Sequence, residues 1–159
     1  MSHPLLLIGY WKNLTDSRKL WFPRGFVDPA WHPADFAKII QYLKSGIGLA
    51  SYLGHSFCRF PDGPPDSEMG SRELTDGVWA WPEGFAVYVE QFSVRLPEEF
   101  VAHMRRHRFI APANPDMAEL ESRSLDLSFW ISWCKRNYKR PSLTLFIKDW
   151  MHLIRKGYS

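Results

Sequence analysis

The chain has 159 residues, 45% of them hydrophobic and 16% aromatic, and its 20 Lys and Arg against 17 Asp and Glu give a formal net charge of +3. That size fits one domain, and eight tryptophans and eleven phenylalanines exclude an intrinsically disordered chain. Two cysteines without CxxC spacing, Cys58 and Cys134, exclude a thiolate zinc module and a disulfide scaffold; they read as buried free thiols, with a single disulfide between them as the alternative.

In chain order, residues 5–10 form an apolar run that reads as a strand. Pro33 opens a first helix with the stripe Phe36, Ile39, Ile40 and Leu43, and Gly46 ends it. Residues 48–53 with 56–60 read as a strand or as a hairpin bent around Gly54, followed by a Pro-, Gly-, Asp- and Ser-rich loop at 61–71. The turn Thr75-Asp76-Gly77 enters a short strand at 78–81. A second helix opens at Pro82 and carries Phe85, Tyr88, Val89 and Phe92 at i, i+3, i+4 and i+7.

A third helix opens at Pro97, with Glu98 and Glu99 in its first turn and Arg105 and Arg106 in its last, so both ends match the helix dipole. Phe100, Val101 and Met104 would face inward. After an irregular link at 111–115, a fourth helix spans about 125–137 and buries Leu125, Phe129, Trp130, Trp133 and Cys134. The fifth starts at Pro141 and keeps Leu143, Phe146, Ile147, Trp150, Met151 and Ile154 on one face. If that face is buried, Trp150→Ala costs about 3–5 kcal/mol. The order predicts an α+β fold in one domain: a small antiparallel sheet packed by helices over 1–110, and a helical C-terminal third over 116–159.

The densest run of unusual residues is Met69-Gly70-Ser71-Arg72-Glu73-Leu74-Thr75-Asp76-Gly77-Val78-Trp79-Ala80-Trp81-Pro82-Glu83-Gly84. Glycine after Asp76 accepts positive φ in a tight turn, and Trp79 and Trp81 share one face of the strand that follows. With VRLPEEF after it and SYLGHSFCRF before it, this run resembles a widespread, largely uncharacterised family of small bacterial proteins. The family pattern is roughly MGSxxLTDGxWxWPEG, followed by VRLPxEF, and the resemblance covers about residues 4–107. Phe85 stands where the family usually has leucine. Some members look like immunity proteins that neutralise toxins delivered between bacteria, and the resemblance brings no established catalytic residues.

Glu73, Asp76 and Glu83 lie close enough for acid/base chemistry, but Asp76 suits the turn and Glu83 suits a helix's first turn. His103 and His107 stand at i, i+4 without a third ligand in register, and His55, Ser56 and Cys58 share a strand whose neighbours point to opposite faces. No GxxxxGK[ST], GxGxxG or GxSxG run is present. The expectation is therefore a chain with no catalytic residues, cofactor or metal, which binds a protein partner, a cognate toxin domain, as a monomer that occludes it.

Trp79, Trp81, Arg72, Arg105, Arg106, Lys135 and Arg136 are the candidate partner-binding residues, since tryptophan and arginine dominate interface hot spots. The alternatives are an RNA- or DNA-binding accessory protein using the basic aromatic stretch KRNYKR, or an enzyme of a class without a recognisable motif. The N-terminus has no basic segment before its short apolar run, and no stretch approaches the roughly 20 apolar residues of a membrane span. A cytoplasmic protein without membrane contact is expected.

Overall fold

The computed structural model describes residues 3–113 and 115–157. Asn114 in the 111–115 link, and the first two residues on which the absence of a targeting segment was partly read, lie outside the described residues. So do residues 158 and 159.

The chain is α+β, as its periodicities predict. Five strands, β1 (Leu5–Leu7), β2 (Ile47–Ser51), β3 (Arg72–Thr75), β4 (Trp79–Pro82) and β5 (Leu125–Asp126), form one sheet in the order β2-β3-β4-β1-β5. The pairs β2/β3 and β3/β4 are antiparallel, whereas β1 runs parallel to both β4 and β5. The sheet is thus mixed rather than wholly antiparallel. The parallel pairs join strands far apart in sequence, which no hairpin turn announces.

Seven helices surround the sheet among the described residues: α1 (Phe36–Lys44), α2 (Asp66–Met69), α3 (Phe85–Phe92), α4 (Glu98–Arg106), α5 (Met117–Ser122), α6 (Ser128–Asn137) and α7 (Leu143–Gly157). A short 3-10 turn covers Pro23–Phe26. α3 begins at Phe85 rather than Pro82, because Pro82 completes β4 opposite Glu73. Leu125 belongs to β5 and is exposed, so the fourth expected helix is shorter by its first turn. Residues 56–60 do not pair as a strand. β2 instead pairs with β3, through a bulge between Gly48 and Ala50.

The C-terminal third shares the main core. Trp130 and Trp133 of α6 stack 5.2 Å apart, Phe26 stacks 5.2 Å from Trp133, and Trp11 meets Trp130 edge-on at 5.1 Å. Trp130 also donates Nε1–H to the Tyr10 carbonyl at 2.8 Å, which ties α6 to the segment leaving β1.

Asp76 holds the sheet to two helices. Its Oδ1 accepts the Val78 and Trp79 amides at 2.9 and 2.7 Å, which closes the β3–β4 turn. Its Oδ2 accepts the Tyr42 hydroxyl of α1 at 2.8 Å and lies 3.1 Å from His103 Nε2 of α4. Burial alone would push this carboxyl up. The hydrogen bonds from His103, the two amides and Tyr42 together outweigh it and hold Asp76 below the usual carboxylate range.

α7 docks in a way its pattern does not predict. The residues buried on it are Asp149 and Leu153, while Ile147, Trp150 and Met151 are 47%, 37% and 57% exposed. Polar contacts clasp the helix to the body. Arg24 grips Asp149 through Nε–Oδ2 at 2.5 Å and Nη2–Oδ1 at 2.8 Å. His152 Nε2 lies 2.9 Å from the Cys58 carbonyl, and Lys156 Nζ donates to Asp66 at 2.8 Å. The expected burial of the Leu143–Ile154 stripe is corrected accordingly: its residues are 37–69% exposed, and Phe146 and Trp150 meet Phe22 edge-on.

Two outcomes test these assignments. Asp149→Ala strands Arg24 and is expected to cost about 3–5 kcal/mol in urea unfolding, more than Trp150→Ala, the reverse of the order the stripe implies. Asp76→Asn puts an amide NH2 opposite Tyr42 or His103 and is expected to cost about 1–3 kcal/mol near neutral pH. A carboxyl whose folded pKa lies below its unfolded 3.8 stabilises the fold above that value and loses this contribution as pH falls through the folded one. The wild-type advantage over Asp76→Asn therefore shrinks below about pH 4; a constant gap from pH 7 to 3 contradicts the assignment.

Candidate functional site

The motif segments singled out in the sequence meet around one cavity of about 380 Å³. Its wall combines residues 9–20 after β1, Tyr52 to Ser56 with Arg59, and residues 69–73 with 82–88 around the β3–β4 hairpin. Backbone hydrogen bonds hold these segments together: Tyr52 N donates to Ser71 O and Ser56 N to Gly70 O, both at 2.9 Å. Glu83 N donates to Arg72 O at 2.9 Å, which closes the hairpin's open end.

Glu83 is the latch of this wall rather than a helix-start acid. Its Oε2 accepts the Ser71 and Arg72 amides at 3.1 and 3.3 Å, and its Oε1 pairs with the Arg72 guanidinium at 2.5 Å. That guanidinium, helped by the Ser71 amide, holds the Glu83 carboxyl below the usual range. Gly70 sits at φ +71°, and a Cβ there would strike the Glu83 carboxylate. The Gly in Met-Gly-Ser therefore serves a close approach as well as a turn.

Most charges in the wall are spent on one another. Arg18 grips Asp16 through two nitrogens and lies 5.7 Å from the Tyr10 ring centroid. Arg59 donates to the carbonyls of Lys12 and Phe57 and to Ser56 Oγ, with its guanidinium 4.2 Å from the Phe57 ring centroid. Tyr88, pushed up by burial, accepts the Arg59 amide at 2.9 Å. Glu73 differs. It is 6% exposed and, among the described residues, pairs with no Lys or Arg and receives only the Tyr52 hydroxyl at 3.2 Å. Burial pushes its carboxyl up. Two further polar atoms of wall residues, Tyr10 Oη and Trp11 Nε1, are buried without a hydrogen-bond partner.

The structure separates the sequence candidates. Trp79 and Trp81, 5% and 0% exposed, are core side chains and offer no partner surface. Trp79 packs on Phe100 and Phe129, and Trp81 donates Nε1–H to the Leu43 carbonyl at 3.0 Å. Their role is to seat α1 and α4 on the sheet. Of the basic candidates, Arg72 alone lines the cavity. Arg105 on α4 is exposed and bonded to Asp35 and Glu98, Arg106 is exposed beside it, and Lys135 and Arg136 are exposed on α6.

The His103–His107 pair has rings 4.2 Å apart, but His103 Nε2 faces Asp76 and His107 Nδ1 lies 2.9 Å from the His103 carbonyl. Among the described residues no group of three or more His, Cys, Asp or Glu is placed to hold a metal ion. His55 and Ser56 reach the cavity wall, whereas Cys58 is buried apart from it, its thiol pushed up by burial. Sequence reasoning named Glu73 only as one of three nearby acids and missed Tyr52, Arg18 and Arg59. The weak signal was the pairing of the MGS and SYLGHS segments within one resemblance.

Comparison of the chain with protein-family models, with curated proteins and with solved structures finds no match. Among the described residues no helix is long and apolar enough to cross a membrane.

The latch is testable. Gly70→Ala combines a strained φ with a collision at Glu83 and is expected to destabilise by more than about 1 kcal/mol. Adding Glu83→Ala removes the collision but not the strain, so a thermal melt of the double variant is expected to show less than the sum of the two single losses.

Proposed function

We propose that the chain is a non-enzymatic binding protein of the immunity type, which occludes a toxin domain through the outward face of α7. The observation that carries this reading is the inverted docking of that helix. A polar clasp holds it to the body while Leu143, Ile147, Trp150, Met151 and Ile154 stay exposed. Leaving such a stripe in water forgoes roughly 25 cal/mol per Å² of burial, and contiguous apolar patches of this kind mark interaction surfaces. Trp and Met are also residue types enriched in interface cores.

The charge around the stripe selects the partner. Lys148 lies three residues from Met151, at the stripe's margin, and the only carboxylate on α7, Asp149, is committed to Arg24. An apolar surface rimmed by acidic side chains complements this face. A second copy would set basic margin against basic margin, in keeping with a protein that is a monomer until it meets its toxin. The resemblance to immunity proteins supports the same reading. Residence in the cytoplasm of the toxin-producing bacterium belongs to this proposal too.

Co-expression with the product of the neighbouring gene tests it. That product alone is expected to arrest growth, the present chain to relieve the arrest, and the two to form a complex burying about 1,600 Å². Ile147→Glu with Met151→Glu, the stripe positions 47% and 57% exposed, is expected to weaken the complex by at least about 2 kcal/mol while the fold survives. Lys148→Glu is expected chiefly to slow association and reduce its salt dependence. Relief of arrest unaffected by the α7 double variant overturns the assignment of the face. Tight, salt-sensitive RNA binding lost on reversing Lys135 and Arg136 favours the nucleic-acid reading instead.

A further inference from the structure

We infer that the cavity beneath the β3–β4 hairpin is a binding site for a small ligand carrying a hydrogen-bond-donating organic cation, a guanidinium or primary ammonium group, received by Glu73 and Tyr52. The charges of the wall do not balance among the described residues. Three carboxylates line the cavity: Asp16 is matched by Arg18, Glu83 by Arg72 and two amides, and Glu73 by no cation. A buried carboxylate without a cation is costly to hold, and native folds keep such a group where something else supplies the missing partner. About 380 Å³ lies at the small end of ligand pockets, which suits a single amino-acid-sized molecule.

The wall is built to keep Glu73 unpaired rather than to neutralise it. Arg72, its neighbour in sequence, points to the other face of β3 and is drawn off by Glu83. Arg59 is spread over two carbonyls and Ser56 Oγ, and Arg18 is spent on Asp16. Each nearby guanidinium is therefore fastened to an acceptor other than Glu73. A ligand cation completes what the chain leaves open, and its donors fill the lone pairs that Tyr52 does not use. The other titratable side chains of the wall are His55, exposed on the segment that carries Tyr52, and the phenols of Tyr10 and Tyr88.

The ligand's cation favours the ionised carboxylate, so binding is linked to loss of a proton from Glu73, whose affinity for that proton burial has raised. Affinity for a cation then increases with pH through the range where Glu73 ionises.

Calorimetric titration with N-acetyl-arginine methylamide, against the uncharged N-acetyl-citrulline methylamide, tests the site on the full chain. The arginine compound is expected to bind at least about tenfold tighter, one decade in the dissociation constant. Glu73→Gln is expected to erase that preference, and Tyr52→Phe, which sits at an exposed position and spares the fold, to weaken it severalfold. The preference is expected to grow as pH rises above the ordinary carboxylate range in the wild type and to stay flat in Glu73→Gln. Equal binding of the two compounds overturns the inference, as does no binding of either at about 10 mM. A preference untouched by both variants, or binding of inorganic phosphate in place of the cation, overturns it as well.

Discussion

One carboxylate sets the geometry on which the rest of this fold depends. Asp76 terminates β3, closes the turn into β4 through two backbone amides, and binds one side chain from α1 and one from α4. The strands are four residues each, too short to define their own orientation against two helices by pleat alone. Fixing the turn fixes the direction in which Trp79 and Trp81 enter the core, and those rings are the floor on which α1 and α4 rest. The same hairpin, at its other end, carries Glu73, Pro82 and Glu83 into the cavity wall. Stability at one end and the candidate site at the other are thus consequences of one register.

The last helix shows how a specific ion pair overrides an apolar pattern. A stripe of six large apolar residues is ordinarily the face a helix buries. Here the body offers Arg24, itself stacked 4.5 Å from the Phe60 ring centroid, and Asp149 is the one residue of α7 that answers it in bidentate geometry. With Leu153 one turn further along and Lys156 reaching Asp66, the helix is oriented with its polar edge inward. With Asp149 only 2% exposed, any rotation that separated it from Arg24 without carrying both to water would leave a buried charge uncompensated, so the clasp holds the helix at this angle.

What the sequence disclosed follows from where the deciding forces are local. The α4 helix was legible to within a residue because Pro97, the acids after it and the arginines at its end are all local signals. α1 was legible through its stripe, and the Asp76–Gly77 turn through glycine's φ of +88°. β3 was not legible, because Glu73, Leu74 and Thr75 are all buried and the alternation that marks a strand is absent. β5, two residues long, exists only because β1 lies beside it. The cavity was half legible: the segments that build it stood out as motifs, yet their convergence rests on long-range backbone hydrogen bonds that no local pattern encodes. A tryptophan pair on one strand face reads the same from sequence whether a partner or a helix covers it; for Trp79 and Trp81 it is helices, the commoner case.

Glu73 and Asp76 stand three residues apart on one strand and turn, and their surroundings drive them in opposite directions. Asp76 is as buried as Glu73, yet four donors hold it ionised, so its charge is part of the architecture. Glu73 has one neutral donor and is pushed up by burial, so its charge is left for something else to stabilise. On β3, Leu74 joins the main core and the buried Thr75 spends its hydroxyl on the Trp79 carbonyl, whereas Glu73 has, among the described residues, the Tyr52 hydroxyl alone. Buried ion and hydrogen-bond networks shift titratable groups as functional sites do, and a carboxylate with every lone pair answered by the chain belongs to the first kind. On that division Asp76 belongs to the scaffold, and Glu73 is the side chain around which the chemistry of the cavity is organised.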